Sequence, residues 1–331
     1  MENNEKLSKA AGTVSGMTLA SRVFGFLRDM VIAMAFGSSS SADAFFVAFR
    51  IPNMQRRILA EGAMTAAFIP VFTEILTKKG ESAAWKLATN LFNILILVLS
   101  SASLLILIFS PAVITVFAPG FIDEPGEFDL TVKLTRCMAP YRFFIGLAAF
   151  CMGILNTLKV FALPAAAPIS QNISMILSVL FISPLMDEPI MGLAIGVVVG
   201  GALQLLIQLP AVLKKGMHFE KTLNFKQKEV FKIVRLMGPV ILGLAVYELN
   251  IMIDTLIASL LPGGSISYLY YGNRLVQLPL GIFAVALGVA LLPTLSSQAA
   301  KGNLKELVQT LGFSIRLILF ITIPATVGLI I

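Results

Sequence analysis

The stretch LFNILILVLSSASLLILIF, from Leu91 to Phe109, contains no charged residue and decides the fold class. It is long enough for a helix to cross the roughly 30 Å of hydrocarbon in a bilayer. It lacks the alternation of apolar and polar residues that a membrane β-barrel requires. Because a segment in lipid must satisfy its own backbone hydrogen bonds, the sequence predicts a transmembrane helix here.

The rest of the chain has the same character. Of its 331 residues, 57% are hydrophobic and only 13% are charged, whereas soluble globular domains are about 25% charged. This composition excludes a water-soluble domain and predicts an all-α polytopic membrane protein. The apolar runs predict nine spans, at 10–36, 43–76, 87–117, 130–158, 161–184, 190–213, 230–261, 266–297 and 306–331.

The lysines mark one side of the predicted membrane. They lie almost entirely in every second connection, whereas connections 37–42, 118–129, 185–189 and 262–265 contain no lysine or arginine. By the positive-inside rule, the N-terminus and the lysine-bearing connections are cytoplasmic. This distribution also argues against a nucleic-acid partner. The longest lysine-bearing connection, 214–232, contains several phenylalanines, so it lies either at an anionic membrane surface or in solvent as a linker.

An internal repeat relates two distant parts of the chain. The stretch DAFFVAFR, from Asp43 to Arg50, aligns with SYLYYGNR, from Ser267 to Arg274, at an offset of 224 residues. Such repeats are common in secondary transporters, and a second half of equal length would run to about residue 448. We therefore expect the sequence to be part of a longer transporter.

The arginines, unlike the lysines, lie within or at the edges of predicted spans. A charge at the bilayer centre costs at least about 2.5–3.5 kcal/mol, so such residues normally face a cavity or a partner. Arginine exceeds acid among them, which predicts an anionic ligand such as a phosphate or diphosphate. The charged positions considered for this cavity are Arg22, Arg28, Asp29, Asp43, Arg56, Glu61 and Arg274.

Further residues in the spans have more than one interpretation or a structural role. Arg57 and Glu61, at i and i+4, form either an internal ion pair or part of the cavity. Asp254 is either a Na⁺ or H⁺ coupling site or the partner of an arginine in another helix. Pro52 and the following residue are expected to interrupt the second helix and to bend it.

The sequence contains no catalytic motif of the types HExxH, GxSxG, GxxxxGK[ST] or CxxC. Cys137 and Cys151 lie inside apolar runs and are expected to be buried thiols, while His218 lies in a polar connection. The sequence therefore predicts a transporter rather than an enzyme, with no cofactor other than a coupling ion, Na⁺ or H⁺.

Four motifs in the same order resemble those of the MurJ/MviN lipid II flippase family, which belongs to the MOP transporter superfamily. They are SRVFGFLRD (Ser21–Asp29), ADAFFVAFRIPN (Ala42–Asn53), RRILAEGAMTAAFIPVF (Arg56–Phe72) and YYGNRLVQLPLGIFAVALGVALLP (Tyr270–Pro293). The resemblance implies a two-lobe bundle of fourteen helices, of which nine would be present here. Residues 1–218 would form the N-terminal lobe, and residues 219–331 a linker and an incomplete C-terminal lobe.

The resemblance also implies a function and a set of site residues. The substrate would be lipid II, an undecaprenyl-diphosphate-linked muropeptide, moved from the cytoplasmic to the outer leaflet of the bacterial inner membrane by alternating access. Substrate-binding residues would be Arg22, Arg28, Asp29, Asn53, Arg56 and Arg274; Asp43 and Glu61 would gate the cavity; and Asp254 would be one ligand of a Na⁺ site completed by later helices.

We expect a monomer whose further partners are membrane lipids and cell-wall synthesis enzymes. Two alternatives stay open from the residues. One is another MOP-type transporter, either a polysaccharide-lipid flippase or a cation-coupled multidrug exporter. The other is a non-transporting membrane scaffold for cell-wall enzymes.

Overall fold

A computed structural model of the chain describes residues 2–279 and 302–330, together with the isolated positions 287, 291, 295, 296, 298 and 299. All secondary-structure elements in this described part are helical. They are α1 (Glu2–Phe36), α2 (Ser40–Arg56), a π-helical segment (Arg57–Phe68), α3 (Ile69–Lys79), α4 (Glu81–Phe117), a 3₁₀ turn (Pro119–Asp123), α5 (Pro125–Thr157), α6 (Ala162–Leu177) with a π turn (Ser178–Ile182) and a 3₁₀ turn (Ser183–Leu185), α7 (Pro189–Lys214), α8 (Lys228–Ser259), α9 (Ser265–Pro279) and α10 (Leu304–Ile330).

Six described helices are long and apolar enough to cross a membrane: Glu81–Phe117, Gly126–Thr157, Ala162–Leu185, Pro189–Lys214, Lys228–Ser259 and Leu304–Gly328. Helix α1 and the run from α2 to α3 have the length but are more polar. Most of the second half of the predicted span 266–297 lies outside the described residues. The all-α membrane class is confirmed, and the number of nine spans stays a prediction.

Helix starts follow local sequence signals. The Ser39 hydroxyl accepts a hydrogen bond from the Ala42 amide at 3.3 Å and caps α2, as expected of an N-cap serine. Helices α5 and α7 begin with Pro125 and Pro189, because proline's missing amide is not needed at the first helical position.

The irregularity in the second predicted span lies later than the sequence suggested. Helix α2 continues through Pro52 to Arg56, and the π-helical turns begin at Arg57. The prediction that Pro52 and Asn53 interrupt the helix was therefore wrong. A proline removes only one backbone hydrogen bond, and transmembrane helices tolerate that loss. Wide π-helical turns are rare overall, and those that occur are often found at functional sites.

Glycines allow α7 to pack closely against the segment 171–183. Gly192, Gly196 and Gly200 are spaced four residues apart on α7, and a Cβ at Gly196 would lie 2.6 Å from Ser178 Cβ. The hydroxyl of Ser178 donates to the Gly192 carbonyl at 2.6 Å. Small residues at this spacing let helix backbones approach in lipid, where there is no hydrophobic drive to association.

The interior contains a cluster of aromatic rings. Phe68 lies 5.2 Å from Phe72 and 5.0 Å from Phe150, measured between ring centroids. Phe92 of α4 extends the cluster to Phe150 at 5.8 Å. These contacts join the π-helical segment, α3, α4 and α5, so the run from α2 to α3 is fixed in the bundle from one side.

The chain divides into two compact units, Met1–Ser267 and Tyr268–Ile331. The first contains α1 to α8 and the first residues of α9. In the second, Tyr270 and Tyr271 form an edge-to-face pair at 5.8 Å. Helix α8 belongs to the first unit because it packs against the π-helical segment. The lobe boundary at 218/219 stays a prediction.

Candidate functional site

Helix α8 lies antiparallel beside the run from α2 to α3, and we call this contact the seam. Several of the residue pairs across the seam are charged, which is unusual inside a membrane protein. As the residue number rises on one side of the seam, it falls on the other. In order, the pairs are Arg50 with Ile251, Arg57 with Glu248, Gly62 with Leu244, Glu74 with Lys232, and Lys79 with Glu229.

At one end of the seam, the buried Asp43 carboxylate caps the start of α9. One carboxylate oxygen accepts the Gly264 amide at 2.7 Å, and the other accepts the Ser267 amide at 2.7 Å and the Ser267 hydroxyl. Gly264 has a φ of +93°, which only glycine adopts readily. A carboxylate at a helix N-terminus satisfies free amides and the helix dipole, so Asp43 fixes α9 from another part of the chain.

Asp43 and Ser267 are also equivalent positions in the internal repeat. Their separation of 224 residues equals the offset between the two aligned stretches. The contact thus joins two positions that the sequence repeat aligns with each other.

A second close contact at the same end involves the backbone of Gly120. The Gly120 amide donates to the Ser259 hydroxyl at 3.2 Å. A Cβ on Gly120 would overlap the Ser259 carbonyl at the end of α8. The turn before α5 and the end of α8 are therefore in direct backbone contact, which no larger residue at position 120 would allow.

The middle of the seam contains two arginines from the second predicted span. Arg50 donates to the Ile251 carbonyl at 3.0 Å. Arg57 lies 3.5 Å from a carboxylate oxygen of Glu248 and 5.6 Å from the centre of the Tyr247 ring. Glu248 is only 5% exposed, so its charge depends on a nearby cation.

Exposed ion pairs form the other end of the seam. Lys79 lies 2.9 Å from Glu229, and Lys232 lies 2.7 Å from Glu74, which also pairs with Lys78 at 3.0 Å. The hydrogen bond and charge of Glu229 raise the pKa of the Lys79 ammonium. All of these groups are reached by solvent, so salt screens their attraction.

Arg28 and Asp29 form a buried centre between α1 and α6. They are 7% and 6% exposed, and two guanidinium nitrogens of Arg28 donate to one Asp29 oxygen at 2.9 and 2.6 Å. A third nitrogen donates to Asn172 at 2.9 Å, and Asn172 donates to the Ser21 carbonyl at 3.2 Å. A carboxylate and a neutral amide thus hold the arginine in place.

Arg56 and Arg142 carry further positive charge near α2. Arg56 donates to Asn53 at 3.1 Å, and Arg142 of α5 donates to Gln55. One nitrogen of Arg142 is buried with no hydrogen-bond partner among the described residues. The Tyr141 ring of α5 lies 6.3 Å from the Phe49 ring of α2, and its hydroxyl accepts a hydrogen bond at 2.9 Å from Gln171, the neighbour of Asn172. Helix α2, which carries Asn53 and Arg56, and the Arg28 centre between α1 and α6 thus both lie beside α5 around Tyr141.

The other predicted site residues have different surroundings. Arg22 and Asp254 are exposed. In the second unit, the Arg274 guanidinium lies 5.9 Å from the centre of the Tyr270 ring. Among the described residues, no group of three His, Cys, Asp or Glu side chains could hold a metal ion. The side chain of Glu61 lies outside the part of the chain that the structure describes.

Sequence reasoning assigned no site role to Asn172, Gln55 or Glu248. Each is a polar residue in or beside an apolar helix, and that isolation is the signal that could have marked it. A polar side chain in such a segment needs a partner. The sequence alone does not identify that partner, because Asn172 lies 144 residues from Arg28 and Glu248 lies 191 residues from Arg57.

Comparisons with known proteins agree on one family. The model of the family described as lipid II flippase MurJ matches residues 32–331. A probable lipid II flippase MurJ of Vibrio cholerae is 38% identical, and the match covers 98% of this chain and 63% of that protein. The lipid II flippase MurJ of Burkholderia cenocepacia is 37% identical, with the same two coverages. The chain spans about 63% of the length of these curated relatives.

Solved structures agree with this family. A lipid II flippase MurJ in an inward closed conformation matches with a TM-score of 0.80 and 31% identity, over 96% of this chain and 64% of that one. An inward-facing multidrug resistance MATE transporter of the MOP superfamily matches with a TM-score of 0.72 and 14% identity, over 92% and 68%. At that identity, the second likeness is one of fold alone.

Proposed function

This chain belongs to the lipid II flippase MurJ family, and we propose that it forms the first nine helices of a transporter that moves lipid II across the bacterial inner membrane. Transport proceeds by alternating access of a cationic cavity, first from the cytoplasmic side and then from the outer side. Family members named as flippases are transporters rather than enzymes. The exporter and scaffold alternatives are not favoured, because the relatives at 36–38% identity carry the flippase name.

The observation that carries this proposal is the buried centre of Arg28, Asp29 and Asn172. One oxygen of Asp29 accepts hydrogen bonds from two nitrogens of Arg28, and a diphosphate offers the same guanidinium several oxygens and more negative charge. In the proposed cycle, the diphosphate of lipid II displaces Asp29 from Arg28. Arg56 with Asn53, Arg22 and Arg274 supply the remaining contacts to the headgroup.

The seam supplies the proposed gates. With the N-terminus and the lysine-bearing connections in the cytoplasm, the Asp43 end of the seam faces outward and the Lys79 end faces inward. Asp43 then closes the outer side by capping α9, and Glu61 acts as a charge nearer the inner side. Release of Gly264 and Ser267 from Asp43 opens the cavity outward.

Coupling and assembly complete the proposal. Asp254 on α8 is one ligand of a Na⁺ or H⁺ site. The protein works as a monomer, because the cavity is formed within one chain, and cell-wall synthesis enzymes receive the lipid II that it delivers.

A flipping assay with the full-length protein tests the binding role of Arg28. Proteoliposomes contain lipid II with a fluorescent headgroup label, and a membrane-impermeant reductant measures how much label reaches the outer leaflet. Loss of a forked, charge-assisted contact worth roughly 1.5–3 kcal/mol predicts a flipping rate about 10–100-fold lower for Arg28→Gln. Arg28→Lys should also be impaired, because lysine keeps the charge but not the fork.

The matched control is Arg235→Gln, since Arg235 is an exposed arginine of α8. It should flip lipid II at the unmodified rate. Equal rates for the Arg28→Gln and Arg235→Gln proteins, at equal reconstituted amounts, would refute the binding role of Arg28.

A further inference from the structure

Residues 215–227 connect α7 to α8, and we call them the strap. The strap has no regular helix, yet its backbone is tied to α4 by side chains. Asn93 donates to the carbonyls of Glu220 and Thr222 at 2.7 and 2.8 Å. Asn90 donates to the Asn224 carbonyl at 2.9 Å and accepts the Asn224 amide at 2.7 Å. The strap is therefore a docked segment and not a free linker.

The place where the strap docks fixes its depth in the bilayer. Thr89 of α4 also bonds to it, through the His218 carbonyl at 2.8 Å. Leu97 lies one helical turn beyond Asn93, about 6 Å along the axis, and is 48% exposed. From Leu97 onward, α4 presents an apolar lipid-facing surface that includes Leu105, 54% exposed. The strap thus lies at the border between hydrocarbon and water.

The side chains of the strap match that border. Phe219, Leu223 and Phe225 are 58%, 53% and 53% exposed, although the backbone beside them is held against α4. The strap contains three lysines, Lys215, Lys221 and Lys226, against one acid, Glu220, and Lys214 and Lys228 flank it. Aromatic and leucine side chains enter the headgroup region, and lysines there are attracted to headgroups with a net negative charge.

We propose that the strap is an interfacial anchor that selects anionic phospholipids. Its exposed apolar side chains insert beside the end of α4, and its lysines bind headgroups of the phosphatidylglycerol type. The charge of the strap supplies the choice of partner, since a zwitterionic headgroup layer offers lysines no net attraction. This role is separate from lipid II transport and does not rest on it.

Lipid-specific fluorescence quenching tests the proposal. The full-length protein, with its tryptophans replaced by phenylalanine and Leu223→Trp as the reporter, is reconstituted in equal amounts of phosphatidylcholine and phosphatidylglycerol. Brominated acyl chains, which quench tryptophan, are placed on one lipid or on the other. We expect quenching by both lipids, and stronger quenching when phosphatidylglycerol carries the bromine.

Removing charge should remove the selectivity. Each lysine near an anionic surface changes lipid association about fivefold. The double variant Lys221→Gln with Lys226→Gln should therefore be quenched equally by brominated phosphatidylcholine and brominated phosphatidylglycerol. The reporter should stay in the interface. Leu105→Trp, on the lipid-facing surface of α4, is the matched control. It should be quenched equally by both lipids with and without the lysine changes.

Two results would overturn the proposal. Quenching of the Leu223→Trp reporter by acrylamide in water but by neither brominated lipid would mean that the strap is solvated. Equal quenching by the two lipids in the protein with all lysines present would mean an interfacial segment without anionic selectivity.

Discussion

The two ends of the seam are held together by different chemistry. At the Asp43 end, a buried carboxylate accepts two backbone amides and a hydroxyl, and Gly120 lies against the Ser259 backbone. At the Lys79 end, long exposed side chains make the contacts. Buried hydrogen bonds to a charged group are among the stronger contacts in proteins, whereas exposed ion pairs contribute little. The first end should therefore be harder to separate than the second.

The largest effect is expected from adding one methyl group at the Asp43 end. In Gly120→Ala, the new Cβ would overlap the Ser259 carbonyl, and a backbone atom cannot move aside as a side-chain tip can. Overpacking of this kind costs about 3 kcal/mol. Equilibrium unfolding of the full-length protein in mixed detergent micelles would measure the loss.

Gly126→Ala is the matched control, because Gly126 lies nearby at the start of α5 and a Cβ added there would have no atom within 4 Å. Its free energy of unfolding should stay within about 0.5 kcal/mol of the unmodified protein. If both alanine variants lost the same stability, close backbone contact would not distinguish this end of the seam.

The Asp43 cap should give the next largest effect. Asp43→Ala leaves buried amides of the α9 start without an acceptor, at a cost of about 2–3 kcal/mol. Ser267→Ala removes only one donor and should cost less. In the double variant the losses should not add, because the Ser267 hydroxyl already lacks its acceptor in Asp43→Ala. Additive losses in the unfolding measurement would contradict a shared contact.

The sequence predicts the helices of this protein better than their contacts. Runs such as Leu91–Phe109 fix the helical class, because lipid leaves few alternatives to the backbone. The repeat predicts that Asp43 and Ser267 are equivalent, but it does not predict that they touch. The sequence does not predict where the π-helical turns lie. Pro52 suggests an interruption at that residue, whereas the π-helical turns begin only at Arg57.

The charged residues of the site are visible in the sequence, while their partners are not. Arg28 and Asp29 stand out because charges are expensive in lipid. Asn172 does not, because a neutral amide in an apolar helix is a weaker signal. Arg57 illustrates the same limit: the sequence suggests a local pair with Glu61, whose side chain lies outside the described residues, and gives no sign of the contact with Glu248 from a distant helix.

The Arg57–Glu248 pair in the middle of the seam should show an asymmetric response. Arg57→Gln leaves the buried Glu248 charge without that partner and should cost about 2 kcal/mol. Glu248→Gln should cost less, because the Arg57 side chain is 33% exposed and still faces the Tyr247 ring. The test is the order of the two unfolding free energies; the reverse order would mean that Glu248 does not depend on Arg57.

A smaller effect is expected at Gly62, where α8 also approaches closely. A Cβ there would overlap Leu244 Cδ1 and lie 3.2 Å from Val240 Cγ1. Both are side-chain tips that can rotate away, so Gly62→Ala should cost about 1 kcal/mol. The added change Leu244→Ala makes room for the methyl group, and the two losses should therefore be less than additive. Full additivity would show that the obstacle is not Leu244.

The smallest effect on stability is expected at the Lys79 end, but it should depend on conditions in a way that the Asp43 end does not. Lys79→Gln removes an exposed pair, so its effect should shrink further as salt rises. Since the pKa of Lys79 is raised in the folded protein by Glu229, the pair contributes fully below the ordinary lysine pKa of about 10.4 and is lost as pH rises through the higher folded value. The unfolding free energies of Lys79→Gln and of the unmodified protein should therefore converge at alkaline pH.

The same dependence should be visible as a change in distance between α3 and α8. Spin labels on cysteines introduced at positions 78 and 228 of the full-length protein leave Lys79 and Glu229 in place and report that distance. The labels should move apart at alkaline pH and in high salt, whereas a second label pair at positions 126 and 260 should not, because a side chain added at Gly126 meets no atom within 4 Å. Widening of both pairs together would mean that the two ends separate as one unit, and the difference in chemistry would then not make one end easier to separate than the other.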